Sequence, residues 1–510
     1  MTVQTAASKR WVLASAILGS SMAFIDSSVV NVALPVIQRD LQATVSGVQW
    51  IINGYLLMLG SLILVGGSAG DLFGRRLVFA LGITIFAVAS LGCALAPNLA
   101  ALIAARIVQG IGGAFLVPSS LSVISASFDE PERGRAIGTW AGFSALTTAL
   151  GPLVGGGLVD LWSWRAIFVI NVPLAAMALA ITLRHVPESR GAERGSAVDW
   201  RGASLVTGGL AAAVYGLTMA PRFGWLHPVV IGGLLGGIGV LAVFLWFESR
   251  TASPMMPLAL FRSVPFSGTN AMTVLLYFAL SSVFFVLPFN LIDVQGYSAT
   301  FTGAAFLPFT AMMGGLSRWT GGLVSRHGAR TPLITGPVIT ALGCVLFAVP
   351  GIGGSYWTTV FPAMLVAGLG MAISVAPLTT TVMDAVDQRH VGIASGINNA
   401  AARVGGLLAV AAIGAIAVAL FGRALEQRAE TLGVSVESRR ALDAEVPMLA
   451  EAQVPSAIQG AARQELQRAV KEAYIVSYRA VMAIAAAFAL LSACCAAFTI
   501  PANRARMADG

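Results

Sequence analysis

A chain of 510 residues with 57% hydrophobic and only 11% charged side chains cannot be an ordinary soluble protein, where roughly a quarter of residues are charged. A mean hydropathy of +0.82 agrees, and the sequence reads as an all-α polytopic membrane protein. The net charge of +8 comes from basic residues scattered singly and in pairs between apolar runs, which excludes a clustered nucleic-acid surface.

The first apolar run, 11–35, follows Lys9 and Arg10 and superficially resembles a signal peptide. It is too long for one and a second span follows, so a retained helix is expected. It carries Asp26 in its interior. A charge at the centre of a membrane helix costs roughly 2.5–3.5 kcal/mol, so it usually persists for function. A carboxylate in an apolar site can take up and release a proton. The expectation is that the chain moves a solute across the membrane and couples it to protonation of Asp26. Asn31 lies farther along this span, and Asn53 and Tyr55 lie in the second, 48–67. These three either line a substrate cavity or pack between helices.

The connection that follows reads GSAGDLFGRR. Gly67 and Gly74 suit a tight turn between packed helices, and Arg75 and Arg76 mark the inner face. Asp71 is expected to meet a neighbouring helix N-terminus. Spans at 77–96 and 99–124 come next. The second contains LIAARIVQGIGGA, whose glycines serve close helix packing; no strand precedes them, so a dinucleotide loop is excluded. Arg106 is its costly charge, at a depth within about 5 Å of Asp26 by helix rise. A direct or water-linked Asp26–Arg106 pair is expected, either structural or part of the coupling. In the span 136–159, Gly151, Pro152, Gly155 and Gly156 remove bulk and favour tight packing, a kink and a pivot.

Further spans are read at 166–184, 202–220, 229–248, 266–290, 301–324, 331–350, 357–382, 393–421 and 474–499, giving fourteen. Asp293 sits near the outer end of the ninth, reaching water or attracting cationic substrates. After the tenth, Gly321–Arg330 is a degenerate copy of the Gly67–Arg76 motif with Ser325 in place of Asp71, a sign of internal duplication. The expected inner connections each carry Lys or Arg, while the short outer loops carry only Arg39, Arg165 and Arg222. That bias places both termini in the cytoplasm. The charged segment 422–473 then lies outside, as one or two short amphipathic helices over the outer mouth. It is either a solvated insertion or a gate. Four cysteines without metal or redox spacing and four histidines outside the apolar cores call for no metal, cofactor or enzymatic role.

These motifs together resemble the major facilitator superfamily, in its fourteen-span drug/proton antiporter branch. GSAGDLFGRR resembles its loop 2–3 signature, ARIVQG the helix 4 signature, GPLVGG the antiporter signature of helix 5, and FIDSSVVNVALP and GIASGINNAAARVGG stretches typical of the branch. The resemblance implies two six-helix bundles around a central cavity, divided as 1–184, a linker and two extra helices at 185–265, and 266–510. It implies alternating access in a multi-pass bacterial plasma membrane protein, a monomer in contact with lipid. Asp26 would carry the proton, Arg106 would modulate it, Gly67–Arg76 would gate, and the Gly151–Gly156 region would set antiport. The expected cargo is a small amphipathic drug or toxic metabolite, cations among them, exchanged for protons. A lipid or endogenous metabolite, such as the cell's own antibiotic, is the alternative cargo. A non-transporting sensor would need a soluble signalling domain, and the sequence offers none.

Overall fold

The computed structural model describes residues 6–191, 198–324, 328–387, 390–455 and 458–501. Ser325 of the degenerate motif lies outside them. Among the described residues there are fourteen helices long and apolar enough to cross a membrane, and no strand. They are α1 (Ala6–Asp40), α2 (Val45–Phe73), α3 (Arg75–Ala94), α4 (Leu99–Ser127), α5 (Glu130–Leu161) and α6 (Ala166–His185, interrupted at Ile170). α7 (Trp200–Phe223) and α8 (Pro228–Arg250) come next. α9 (Val264–Phe289) ends in a π turn to Val294, and α10 is made of Ala299–Ala305 and Leu307–Gly321. α11 (Arg330–Ala348), α12 (Tyr356–Asp384), α13 (Val391–Thr431) and α14 (Gly460–Thr499) complete the chain.

α1–α6 pack among themselves, as do α9–α14. α7 and α8 pair with each other, and α7 leans on α2 and α13, which also join the two bundles. Close approach relies on missing side chains. A Cβ on Gly112 of α4 would stand 2.6 Å from the Phe86 nitrogen of α3, so these helices meet backbone to backbone. Helix starts carry the expected caps: Asn98 accepts from the Ala101 amide at 2.9 Å, and Asp199 from Gly202 at 2.8 Å.

An even number of crossings puts residues 6 and 501 at one end of the molecule, the terminal end. At the far end the structure departs from the expected insertion at 422–473. α13 and α14 run well past the apolar runs, and only Val436–Glu445 and a 3₁₀ turn, Val446–Glu451, lie between them as separate helical pieces. The reason is composition: Ala, Glu, Gln and Arg keep the helix going where hydropathy has ended. Arg428 and Arg468 both pair with Glu472 there, and Ala429, Leu442, Val454, Leu466 and Ala469 form a separate small core.

The 3₁₀ turn reaches back over the bundles. Gln38 of α1 donates to the Met448 carbonyl at 3.0 Å, and Arg39 pairs with both Glu451 and Asp293, the latter at 3.1 Å. Lys471 of α14 donates to the Val294 carbonyl at 3.3 Å beside them. α1, α9 and the far-end turn are thus tied at one point. Burial alone would push the Glu451 carboxyl up, but the Arg39 guanidinium, with Asp293 beside it, outweighs burial and holds Glu451 below its ordinary value. A depressed carboxylate stabilises the fold above the ordinary carboxylate range, and that contribution is lost as pH falls through its lower folded value. Glu451→Gln is therefore expected to raise amide exchange over 446–455 several-fold at pH 7. The unaltered chain should approach that rate only on acidification below the usual carboxylate range. An unchanged exchange pattern in the variant would show that the turn is held by other contacts.

Candidate functional site

The costliest residues of the sequence meet inside the first bundle. Arg106 of α4 donates from Nη1 to Asp26 Oδ2 of α1 at 2.5 Å and to Gln109 Oε1 at 2.6 Å. Its Nε donates to the Ile51 carbonyl of α2 at 3.0 Å. Gln109 Nε2 donates to the other Asp26 oxygen at 2.8 Å and to Ser90 Oγ of α3 at 2.7 Å. Asn171 of α6 also donates to Ser90, at 3.3 Å. The guanidinium lies 4.3 Å over the Tyr55 ring and 5.8 Å from that of Phe168. Asp26 is 0% exposed and Arg106 1%. Five helices contribute, both carboxylate oxygens are taken, and the pair is out of reach of solvent.

Gln109 escapes a search for intramembrane charge because it carries none. The available signal is its spacing, three residues after Arg106 and therefore on the same face of α4. Tyr55 belongs to this network as the ring beneath Arg106 rather than to a cavity. Asn53 is fully buried in α2, with neither side-chain polar atom partnered. Asp293 neither reaches water nor lines a cavity. Its side chain is 1% exposed and engaged by Arg39, because the far-end turn covers it.

Asn31 does line a cavity, one of about 860 Å³ between the bundles. α1 contributes Phe24, Ser28 and Asn31, α5 the stretch Gly142–Pro152, and the second bundle adds Tyr277, Phe284, Phe306 and Phe309. On α1, Asp26 lies about 200° around the helix from Phe24 and from Ser28, at 100° per residue. The charge network and the cavity thus occupy opposite sides of one helix.

Of the α5 glycines, Gly151 and Gly155 pack on α1 within the first bundle, and Gly156 marks where the bundles touch. A Cβ on Gly151 or Gly155 would collide with Ser28 or Val29 of α1, and one on Gly156 with the Ala299 carbonyl of α10. Gly303 of α10 meets the Pro152 carbonyl in the same way. Asp160 accepts from the Thr300 amide at 2.7 Å and the Ala299 amide at 3.2 Å, closing the far end. Toward the terminal end, Cβ atoms on Gly142, Gly314 and Gly315 would meet nothing within 4 Å. The bundles are joined at the far end and apart at the other.

The Gly67–Arg76 motif is shorter as a turn than the sequence suggests. α2 continues to Phe73, so Gly67 and Asp71 are helical and the turn is Gly74 alone, at φ 122°. Gly74 needs its lack of a side chain there. Asp71 does not meet a helix N-terminus: it pairs with Arg75 at 2.8 Å, four residues on. Glu188, from the segment after α6, takes the α3 N-terminus instead, accepting from the Arg76 and Leu77 amides at 3.1 and 3.2 Å. Arg76 donates to the Leu183 carbonyl at 2.9 Å, stitching the turn to α6.

A sequence profile described as Major Facilitator Superfamily matches residues 16–192 and 189–410. The multidrug resistance protein Stp of Mycobacterium tuberculosis (strain H37Rv) is 36% identical over 414 residues, 81% of this chain and 76% of that one. The tetracenomycin C resistance and export protein of Streptomyces glaucescens is 34% identical over 489 residues, 94% of this chain and 90% of that one. Among solved structures, a bacterial homologue of the human lysosomal transporter Spinster, inward-facing and unoccupied, superposes with a TM-score of 0.68. It covers 96% of this chain and 98% of that one at 17% identity, which speaks for the fold alone.

Removing one member of a buried ion pair leaves the other uncompensated, at roughly 3–5 kcal/mol. Arg106→Gln alone is accordingly expected to lower the thermal unfolding temperature of the purified protein far more than the double change Asp26→Asn with Arg106→Gln. Additive losses in that double-mutant cycle would show that the two side chains do not depend on each other.

Proposed function

The chain belongs to the Major Facilitator Superfamily and is a many-span membrane transporter, and from that premise we propose that it expels small lipophilic drugs or toxic metabolites in exchange for protons. The bacterial plasma membrane, with both termini in the cytoplasm, is the setting, and a monomer suffices because the cavity is built within one chain. The moving units are the bundles 1–184 and 266–510, with 185–265 between them. The relatives named above for drug resistance and export support the direction of transport and the kind of cargo.

One observation carries the proton coupling: a carboxylate with both oxygens engaged by Arg106 and Gln109 stands on the helix that also walls the cavity. In the terminal-end-open form, ionised Asp26 locks α1 to α4 while cargo enters between the bundles. Rocking then closes that end and separates α5 from α10 at Gly156 and Gly303. With the far end open, a proton reaches Asp26. The neutral acid no longer needs its cation, Arg106 keeps Gln109 and the Ile51 carbonyl, and α1 can shift relative to α4 as the empty carrier returns. The Gly74 turn, held by Glu188, keeps α2, α3 and α6 together during the movement. A proton crossing 100 mV supplies about 2.3 kcal/mol, enough for roughly a fifty-fold cargo gradient.

In vesicles holding the purified protein, cargo movement should follow an imposed proton gradient and stop when a protonophore collapses it. The variant Asp26→Asn with Arg106→Gln, which avoids an unpaired arginine, should fold yet lose gradient-driven transport by at least about a hundredfold, retaining passive exchange at most. Gradient-driven rates like those of the unaltered protein would refute Asp26 as the proton carrier.

A further inference from the structure

Resting on that reading of the cavity as the transport site, we propose that its cargo is an uncharged aromatic compound carrying hydroxyl or amide hydrogen-bond donors, and that the cavity selects against lipophilic cations. Among the described residues, no side chain lining it is Asp, Glu, Lys, Arg or His. The nearby carboxylate, Asp26, is buried behind α1 and spent on Arg106 and Gln109. A cation entering this space would leave its water without meeting a counter-charge.

The basic charge near the wall points the same way. Arg403 of α13 lies where α13 packs on α2 and α9: a Cβ on Gly60 would fall 3.0 Å from the Arg403 Cβ, and one on Gly405 would fall 2.5 Å from the carbonyl of Val274, on the helix that brings Tyr277 to the cavity wall. Among the described residues, Arg403 has no ion-pair partner. Positive potential without a balancing carboxylate repels a cation further. Aromatic faces attract cations, but Phe284 already packs edge-to-face on Phe306 and Phe309, with ring centroids 5.1 Å apart. Such a surface also stacks well on a neutral ring system.

The polar groups of the wall favour a cargo that donates hydrogen bonds. Ser28 donates to the Ile25 carbonyl at 3.0 Å, Ser144 to Trp140 at 2.8 Å, Thr148 to Ser144 at 2.8 Å and Thr310 to Leu307 at 3.0 Å. Asn31 Nδ2 donates to the Ser27 carbonyl at 3.2 Å. Each hydroxyl spends its hydrogen on its own helix and is left with an oxygen, and Asn31 keeps its carbonyl oxygen beside one remaining N–H. The wall therefore offers acceptors around rings, a match for phenols, alcohols and amides. Ligand sites of this kind, mostly apolar with a few placed polar groups, are typical of small-molecule recognition.

A matched pair of probes tests this: 9-(hydroxymethyl)anthracene, which is neutral, and (9-anthracenylmethyl)trimethylammonium, a cation on the same ring. Equilibrium binding to the full-length protein, followed by anthracene fluorescence without any gradient, should favour the alcohol by at least about tenfold. Asn31→Leu should weaken the alcohol several-fold. Asn31→Asp, which supplies the missing carboxylate, should tighten the cation by about tenfold. Thr310→Asp makes the same test from the other bundle if the first variant does not fold. Equal or tighter binding of the cation to the unaltered protein would overturn the proposal, as would the absence of binding by either probe. Because no gradient is used, a preference for the alcohol stands even if proton-driven export fails in vesicles.

Discussion

An ion pair that has been fully removed from water must be saturated or it becomes a liability, and this constraint organises the first bundle. Asp26 has two oxygens to satisfy and Arg106 several N–H groups. The fold answers with Gln109, the Ile51 carbonyl and the ring of Tyr55. Ser90 and Asn171 extend the chain of hydrogen bonds to α3 and α6. Such a network ties five helices to a single protonation state. Its value to the fold is conditional, because a proton on Asp26 removes the charge that Arg106 was placed to meet.

The contact between bundles is built differently at its two ends. At the far end, α5 and α10 approach through Gly156 and Gly303 against each other's carbonyls, and Asp160 holds the first amides of α10. Arg39, Asp293 and Glu451 add a polar tie over α1 and α9. Contacts of backbone against backbone and charge against charge can part as units without leaving apolar side chains stranded. At the terminal end the corresponding glycines, Gly142, Gly314 and Gly315, face open space. Smooth, small-residue surfaces are present at both ends of α5 and α10, but only one pair is in contact at a time in this arrangement.

Much of this was legible because membranes make some residues expensive. Fourteen apolar runs give the helices, and Asp26 and Arg106 stand out as charges where charge is costly. Depths within about 5 Å of each other along two helices were enough to suggest their meeting. Gln109 gave no such signal, although its place three residues beyond Arg106 puts it on the same face. Asp293 was misplaced for another reason: its partner Arg39 is 254 residues away, and nothing local reveals that a turn near Glu451 folds over it. The extensions of α13 and α14 were missed because hydropathy measures lipid exposure rather than helix formation. Asp71 was assigned to a helix N-terminus that Glu188 occupies, since the partner of a loop residue depends on which other segment arrives there.

The separation of charge network and cavity on opposite faces of α1 bears on how coupling can work at all. If Asp26 bound cargo directly, cargo and proton would compete for one group and a cationic substrate would be the natural choice. Here Asp26 is about 200° around the helix from Phe24 and Ser28. Competition for a shared site is then replaced by competition for a shared helix. In the proposed coupling, protonation would alter how one face of α1 packs on α4, and that altered packing would move the other face, with Ser28 and Asn31, against the cargo. Linkage requires the reverse as well: cargo that favours one position of α1 must change the affinity of Asp26 for its proton by the same factor. An uncharged cargo can therefore drive proton release as effectively as a cation could, through geometry alone.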